Sequence, residues 1–281
     1  MTDVEVIVTT YNNPSALHFA LLALSQQSTA SFQVCVADDG SGPATQEIVQ
    51  FWRDQFGAAR LRHVWHPDVG FAKNQILNKA IASSSATYLI FIDGDCLASP
   101  GYVERHLALR SPGQFVSGSL IRMPLTVNSI LDDSLIASGE IFTKSWLEAH
   151  ECIDRLGTRL KTATLPPAIS NFLEIISPVK KVWNGCNSSG WRQDILKVNG
   201  FDETMTYGSE DVELGVRLNN AGIRGRHIRY TAPLLHIEHS RGYADPVIAA
   251  QNKRHMKSVR RSGKAWTDDG ILKSAMPNAQ S

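Results

Sequence analysis

Four short apolar runs, each followed by a polar turn and then an amphipathic stretch, organise the N-terminal third of the chain. Val4, Val6, Ile7 and Val8 make a β-branched run that predicts a first strand over residues 4–9. Asn13 then caps a helix with Pro14 at its first position, and Leu17, Leu21 and Leu24 form its apolar stripe. Phe32 to Ala37 predicts a second strand. A helix over Pro43 to Phe56 follows, with Ile48, Phe51 and Trp52 on one face. Leu61 to Trp65, Phe71 to Ala82 and Tyr88 to Ile92 continue the series as strand, helix and strand. Strand–helix alternation of this kind implies an α/β fold with a mostly parallel sheet and right-handed crossovers.

The alternation fades over residues 97–182. Gly113 to Ile121 predicts one more strand, and residues 128–176 predict mainly helix, broken at Pro166 and Pro167, with Trp146 and Phe172 as exposed-looking aromatics. This stretch is expected to be a helical insertion that shapes specificity. Order returns at Trp183 to Ser189. A turn follows at Gly200 to Glu203, then a helix opened by Glu210 and Asp211 and stopped near Gly222. Leu234 to His239 is strand-like. The expected organisation is therefore residues 1–98, an insertion over 99–182, a second half over 183–245 and a basic tail over 246–281.

Composition narrows the function. A chain of 281 residues with 43% hydrophobic and 20% charged residues has the make-up of a soluble globular protein. Its formal net charge of +1 argues against a dedicated nucleic-acid binder, which is normally strongly basic. Asp3 and Glu5 beside the first strand argue against a secretory leader, and no apolar run reaches the roughly 20 residues of a membrane span. Cys35, Cys96, Cys152 and Cys186 form no C-x-x-C and read as reduced thiols, which makes a cytoplasmic location the expectation.

The polar turns carry the chemistry. Thr9 to Asn12, Asp38 to Ser41, His66 to Gly70 and Asp93-Gly94-Asp95 all leave the same edge of the predicted sheet, where open α/β sheets bind ligands. Two aspartates one glycine apart at a strand end suit a hard divalent cation, which in turn neutralises a diphosphate. No G-x-G-x-x-G follows the first strand and no G-x-x-x-x-G-K-[ST] occurs, so neither a dinucleotide fold nor a P-loop is indicated. Far along the chain, Glu210, Asp211 and Glu213 cluster behind Gly208 and Ser209. His236, Glu238, His239 and Arg241 cluster at the last strand, where imidazole added to carboxylate suits Mn²⁺ or a similar cation.

Together these residues resemble a nucleotide-sugar glycosyltransferase of the GT-A fold, family 2. The likeness rests on Val8-Thr9-Thr10-Tyr11-Asn12, Ala37-Asp38-Asp39-Gly40-Ser41, Val69-Gly70-Phe71-Ala72-Lys73-Asn74 and Phe91-Ile92-Asp93-Gly94-Asp95. The later motifs, Asn184-Gly185-Cys186-Asn187, Gly200-Phe201-Asp202-Glu203, Gly208-Ser209-Glu210-Asp211-Val212-Glu213 and His236-Ile237-Glu238-His239-Ser240-Arg241, are similar to the catalytic segment of β-1,4-galactosyltransferases and chondroitin-type polymerases. Residues 99–182 carry none of them. Animal galactosyltransferases use methionine where this chain has His236.

The resemblance implies a Rossmann-like nucleotide-sugar half over 1–98 and a catalytic, acceptor-binding half over 183–245. It assigns Thr9, Tyr11 and Asp39 to the base, with Asp39 accepting a uracil N–H, so that the donor is a UDP-sugar. Lys73 falls to the diphosphate and Asp93 to the ribose. Asp95 and His239, with His236 as a further candidate, fall to Mn²⁺ or Mg²⁺. Trp183, Gly185, Cys186 and Asn187 fall to the donor-sugar or acceptor pocket. Glu210 falls to the acceptor and Asp211 to the catalytic base. The implied acceptor is a glycan or lipid-linked glycan of bacterial surface polysaccharide or lipopolysaccharide.

Three other classes fit less well. A sugar nucleotidyltransferase needs a Gly-rich basic loop after its first strand, which Thr9 to Asn13 is not. A binding module needs no acid pair together with a metal site. A glycosidase flanks its bond with two carboxylates, one of them protonated. Residues 253–264 hold six Lys or Arg and His255, a cluster that fits either a solvated helix face or contact with an anionic membrane.

Overall fold

The chain is described by a computed structural model over residues 3–29, 31–162, 167–177, 179, 181–239 and 245–273. The predicted alternation is present as β1 (Val4–Thr10), α1 (Pro14–Ser25), β2 (Gln33–Asp38), α2 (Pro43–Phe56), β3 (Leu61–Trp65), α3 (Lys73–Ser83) and β4 (Tyr88–Asp93). Asn13 caps α1 by accepting from the Ala16 amide, with Pro14 at the first turn. β1 pairs in parallel with β2 and β4, and β2 in parallel with β3. Apolar side chains alternate across this sheet, so one set packs under α1 and α2 and the other under α3. Val6, Val8, Ile90 and Leu21 belong to the first set, and Ile7, Phe91, Ile76 and Ile81 to the second.

Beyond β4 the chain forms β5 (Cys96–Ala98), α4 (Tyr102–Leu109), β6 (Gln114–Gly118) and β7 (Leu120–Arg122). The strand expected over Gly113 to Ile121 is thus two strands. β6 joins the central sheet, so residues 99–182 supply part of the core as well as a helical excursion. That excursion holds α5 (Asp133–Ala137), α6 (Lys144–Ala149), α7 (Leu156–Lys161) and α8 (Pro167–Ile176), with short 3₁₀ turns between. Trp146 is not exposed: it is buried among Ile136, Ile141 and Leu147 and stacks on His150 at 4.1 Å. Phe172 is exposed, as expected.

The last part of the described chain comprises β8 (Ser188–Trp191), α9 (Arg192–Lys197), α10 (Glu210–Asn220), β9 (Arg224–Ile228), β10 (Leu234–His236) and α11 (Pro246–Ser262). The central sheet runs in the order β3-β2-β1-β4-β8-β6-β9, with β8 antiparallel to both of its neighbours. β5, β10 and β7 form a second, three-stranded sheet, in which Cys96 lies opposite His236. The segment expected as a basic tail begins with a docked helix. Asp245 caps α11, whose Met256 and Val259 pack against Val216 of α10. All four cysteines are buried free thiols.

Candidate active site

The ends of β1, β2 and β4 converge because two glycines permit close approach. A Cβ at Gly94 would lie 3.0 Å from the Thr9 carbonyl oxygen, the acceptor of the Gly94 amide at 2.7 Å. Gly40 has φ +93°, and a Cβ there would lie 2.5 Å from the Asp68 Cα, so the turns after β2 and β3 close on each other only with glycine. Asn12, also left-handed at φ 46°, accepts from the Gly42 amide while its own amide donates to the Ser41 hydroxyl. These ties hold the loops as one rim.

Beneath the rim lies a cleft of about 600 Å³, lined by Thr9, Tyr11, Asp39, Lys73, Asp93, Asp95 and His239 among others. It opens into a second chamber of about 290 Å³ lined by Gly185, Cys186, Glu210, Asp211, His236 and Arg122. Phe71, Lys73, Asp93, Asp95 and His239 line both. Lys73 donates to Asp93 Oδ1 at 2.7 Å. Burial works to lower the Lys73 pKa, but the carboxylates of Asp93, Glu210 and Asp211 together raise it above the ordinary lysine value. That cation therefore sits between the strand-end acids and the α10 acids.

Asp95 meets two histidines through strand register. The pairing of β5 with β10 sets Cys96 opposite His236, and the Ile237 amide donates to the Asp95 carbonyl oxygen at 2.9 Å. His239 Nε2 then lies 2.8 Å, and His236 Nε2 3.7 Å, from Asp95 Oδ2. One ligand atom from each of the three residues falls within 4.8 Å of the others. One carboxylate oxygen and two imidazole nitrogens suit a borderline divalent cation such as Mn²⁺. Burial opposes ionisation of Asp95, yet its hydrogen bond to His239 and the positive charges around it hold its carboxyl below the usual range.

The second acid pair stands at a strained helix start. Gly208 at φ +107° and Ser209 at φ +71° turn the chain into α10, and the Gly208 amide donates to Glu210 at 2.7 Å. Burial, reinforced by the charge of Asp211, pushes Glu210 up to about 7. Burial also raises Asp211, opposed by amide hydrogen bonds from Gly185 at 2.8 Å and Val212 at 2.7 Å. Buried Asn74 and Asn78 of α3 anchor the approach, donating to the carbonyl oxygens of Asp202 and Phe201.

Two expected pocket residues lie elsewhere. Trp183 is fully buried in the core, edge-on to Phe91 at 5.3 Å and packed beside Gly190 and Gly215. Asn187 is also fully buried: it accepts from His106 and donates to the carbonyl oxygens of Ser119 and Ala232. Burial holds His106 neutral, at about 3. Both residues support the chamber wall without facing it. Ser240 and Arg241 lie outside the described residues. Asn12, Ser41, His66, Asn74 and Arg122 had no assigned role in the sequence reading, although the first three lie in or beside its converging turns.

The fold is that of the GT-A glycosyltransferases. The family model described as Glycosyl transferase family 2 matches residues 5–122, and that described as N-terminal domain of galactosyltransferase matches residues 168–240. Validoxylamine A glucosyltransferase of Streptomyces hygroscopicus subsp. jinggangensis is 29% identical over 235 residues, covering 78% of this chain and 52% of that protein. The chain thus spans about half the length of that relative. The mannosyltransferase PcManGT of Pyrobaculum calidifontis, in complex with GDP-Man and Mn²⁺, superposes with TM-score 0.60 at 18% identity, over 92% of this chain and 64% of that one. S. aureus TarS 1–349 with UDP-GlcNAc gives TM-score 0.60 at 14% identity, over 91% and 65%.

Proposed function

We propose that this chain moves a hexose or N-acetylhexosamine from a UDP-sugar to a glycan hydroxyl, with inversion at the anomeric carbon. The observation that carries this reading is a pair of adjoining cavities that share five lining residues. They bring together a three-residue cation donor set, a half-buried lysine and two carboxylates with raised pKa values. Tyr11 and Asp39 take the base, Asp93 the ribose, and Lys73 the diphosphate charge. Asp95, His236 and His239 hold Mn²⁺ or Mg²⁺, which when bound offsets the negative charge left on UDP.

The acceptor hydroxyl lies against Glu210 and Asp211. As its oxygen bonds to the anomeric carbon, the carbon–phosphate-oxygen bond breaks and UDP leaves. The hydroxyl proton passes to the Asp211 carboxylate, which Gly185 and Val212 orient. One displacement inverts the centre. A base with a raised pKa accepts that proton more readily than an ordinary aspartate. Asp211→Asn is expected to keep UDP affinity within a factor of about three and to lose at least about 10²-fold in kcat. An unchanged kcat contradicts the assignment and moves the base to Glu210.

The acceptor side adjoins α11, where Asn252 donates to the carbonyl oxygens of Thr206 and Tyr207. Lys253, Arg254, Lys257, Arg260 and Arg261 are exposed there. At 100° per residue they span an arc of roughly 120°. Within this basic segment, His255 Nε2 lies 3.4 Å from Asp202 and Lys264 Nζ lies 2.8 Å from Asp268. That stripe favours a lipid-linked glycan acceptor presented at an anionic membrane surface, in bacterial polysaccharide or lipopolysaccharide synthesis, with the protein on the cytoplasmic side.

A further inference from the structure

Behind the wall of the larger cleft, Lys79, His66 and Asp39 form a chain of hydrogen bonds. Lys79 Nζ on α3 lies 3.2 Å from His66 Nδ1, and His66 Nε2 lies 2.7 Å from Asp39 Oδ1. An ammonium only donates, so His66 Nδ1 is the acceptor and the ring proton is on Nε2. That N–H therefore donates to Asp39. The Ala72 amide donates to the other carboxylate oxygen at 3.0 Å. His66 and Asp39 are each only 4% exposed, and Asp39 still lines the cleft.

A buried carboxylate facing a ligand cavity is costly unless donors hold it. Burial raises the Asp39 carboxyl above its ordinary range, and the one N–H that each oxygen receives opposes that shift, fixes the group in rotation and presents it as an acceptor. We propose that His66 and Lys79 are positioning residues that hold Asp39 as an acceptor for a ring N–H of the donor's base, and so set which base is taken. This rests on the reading above that Asp39 meets the base. Uracil offers a ring N–H at that point. Cytosine offers a lone pair there, which faces the carboxylate unfavourably. Discrimination of this kind follows from a buried polar group left without its partner.

UDP and CDP affinities, measured calorimetrically with Mn²⁺ present, test this on wild type, His66→Leu, His66→Gln and Lys79→Met. Wild type is expected to prefer UDP, and His66→Leu to lower that preference about tenfold or more through UDP alone. His66→Gln places an amide N–H near the Nε2 position and restores most of the preference. Lys79→Met, at an exposed site, loses a smaller part of it with its melting temperature unchanged. In turnover, His66→Leu raises KM for the sugar nucleotide and leaves kcat nearly unchanged, because base contacts are equal in ground and transition states. Equal weakening of UDP and CDP, or His66→Gln behaving as His66→Leu, overturns the positioning role. Should His66→Leu fold poorly, an unaltered preference in Lys79→Met overturns it as well. A wild type with no preference for UDP over CDP overturns the donor assignment first, and this inference with it.

Discussion

At the scale of residues, Glu210 and Asp211 are adjacent acids with different surroundings, and the proposed mechanism gives acceptor binding to the first and proton uptake to the second. Glu210 carries a folded-state pKa of about 7 against an ordinary 4.5. Its protonated form therefore contributes stability that is fully present below about pH 4.5 and is lost as pH rises through about 7. Glu210→Gln removes that dependence. Chemical unfolding at about pH 5 and about pH 8 should show wild type losing stability relative to the variant over this interval. Parallel pH–stability curves would show that burial does not perturb Glu210. Most of the cleft was legible in sequence: Asp39, Lys73, Asp93, Asp95, Asp211 and His239 stand at strand ends or helix starts, where polar side chains converge. Trp183 and Asn187 were misplaced because position next to a motif does not say which way a side chain faces. His66 escaped because its partner Asp39 is far away in sequence and only the sheet brings them together.

At the scale of elements, β1 to β4 and α1 to α3 were readable because apolar periodicities, with the Asn13 cap and Pro14 at α1, leave few alternatives. β8 was not: Ser188-Ser189-Gly190-Trp191 has no apolar run, and only its pairing with β4 and β6 makes it a strand. Its small residues have a use. Gly215 lets the Trp183 backbone come close to α10, while the Trp183 ring lies within contact distance of Gly190 on β8. A Cβ at Gly215 would lie 2.6 Å from the Trp183 nitrogen, a backbone contact that cannot rotate away. Ala gains about 1 kcal/mol of helix propensity over Gly, yet overpacking a core costs typically 1–3 kcal/mol. Gly215→Ala should therefore lower the unfolding midpoint and reduce turnover. A raised midpoint would mean that α10 shifts freely and that Trp183 does not fix it.

At the scale of the whole molecule, α11 packs on α10, whose Glu210 and Asp211 line the smaller chamber, and no helix among the described residues is long and apolar enough to cross a membrane. On the proposed reading, attraction of about 1 kcal/mol per basic residue near an anionic surface is what would hold this stripe there reversibly. Flotation with anionic vesicles at low salt should carry the protein up, and neutral vesicles should not. Changing Arg260 and Arg261 to Ser should weaken the effect. No flotation on anionic vesicles would leave α11 a solvated face and favour a soluble acceptor. Sugar transfer itself is open to direct measurement. A panel of UDP-sugars offered with glycan and lipid-linked acceptors, followed by mass spectrometry and by NMR of the new linkage, tests it most directly. The account predicts UDP release matched by an inverted product, abolished by chelator and restored by Mn²⁺. Nucleotide binding without transfer, pyrophosphate release from a nucleoside triphosphate, or full transfer in chelator would contradict it.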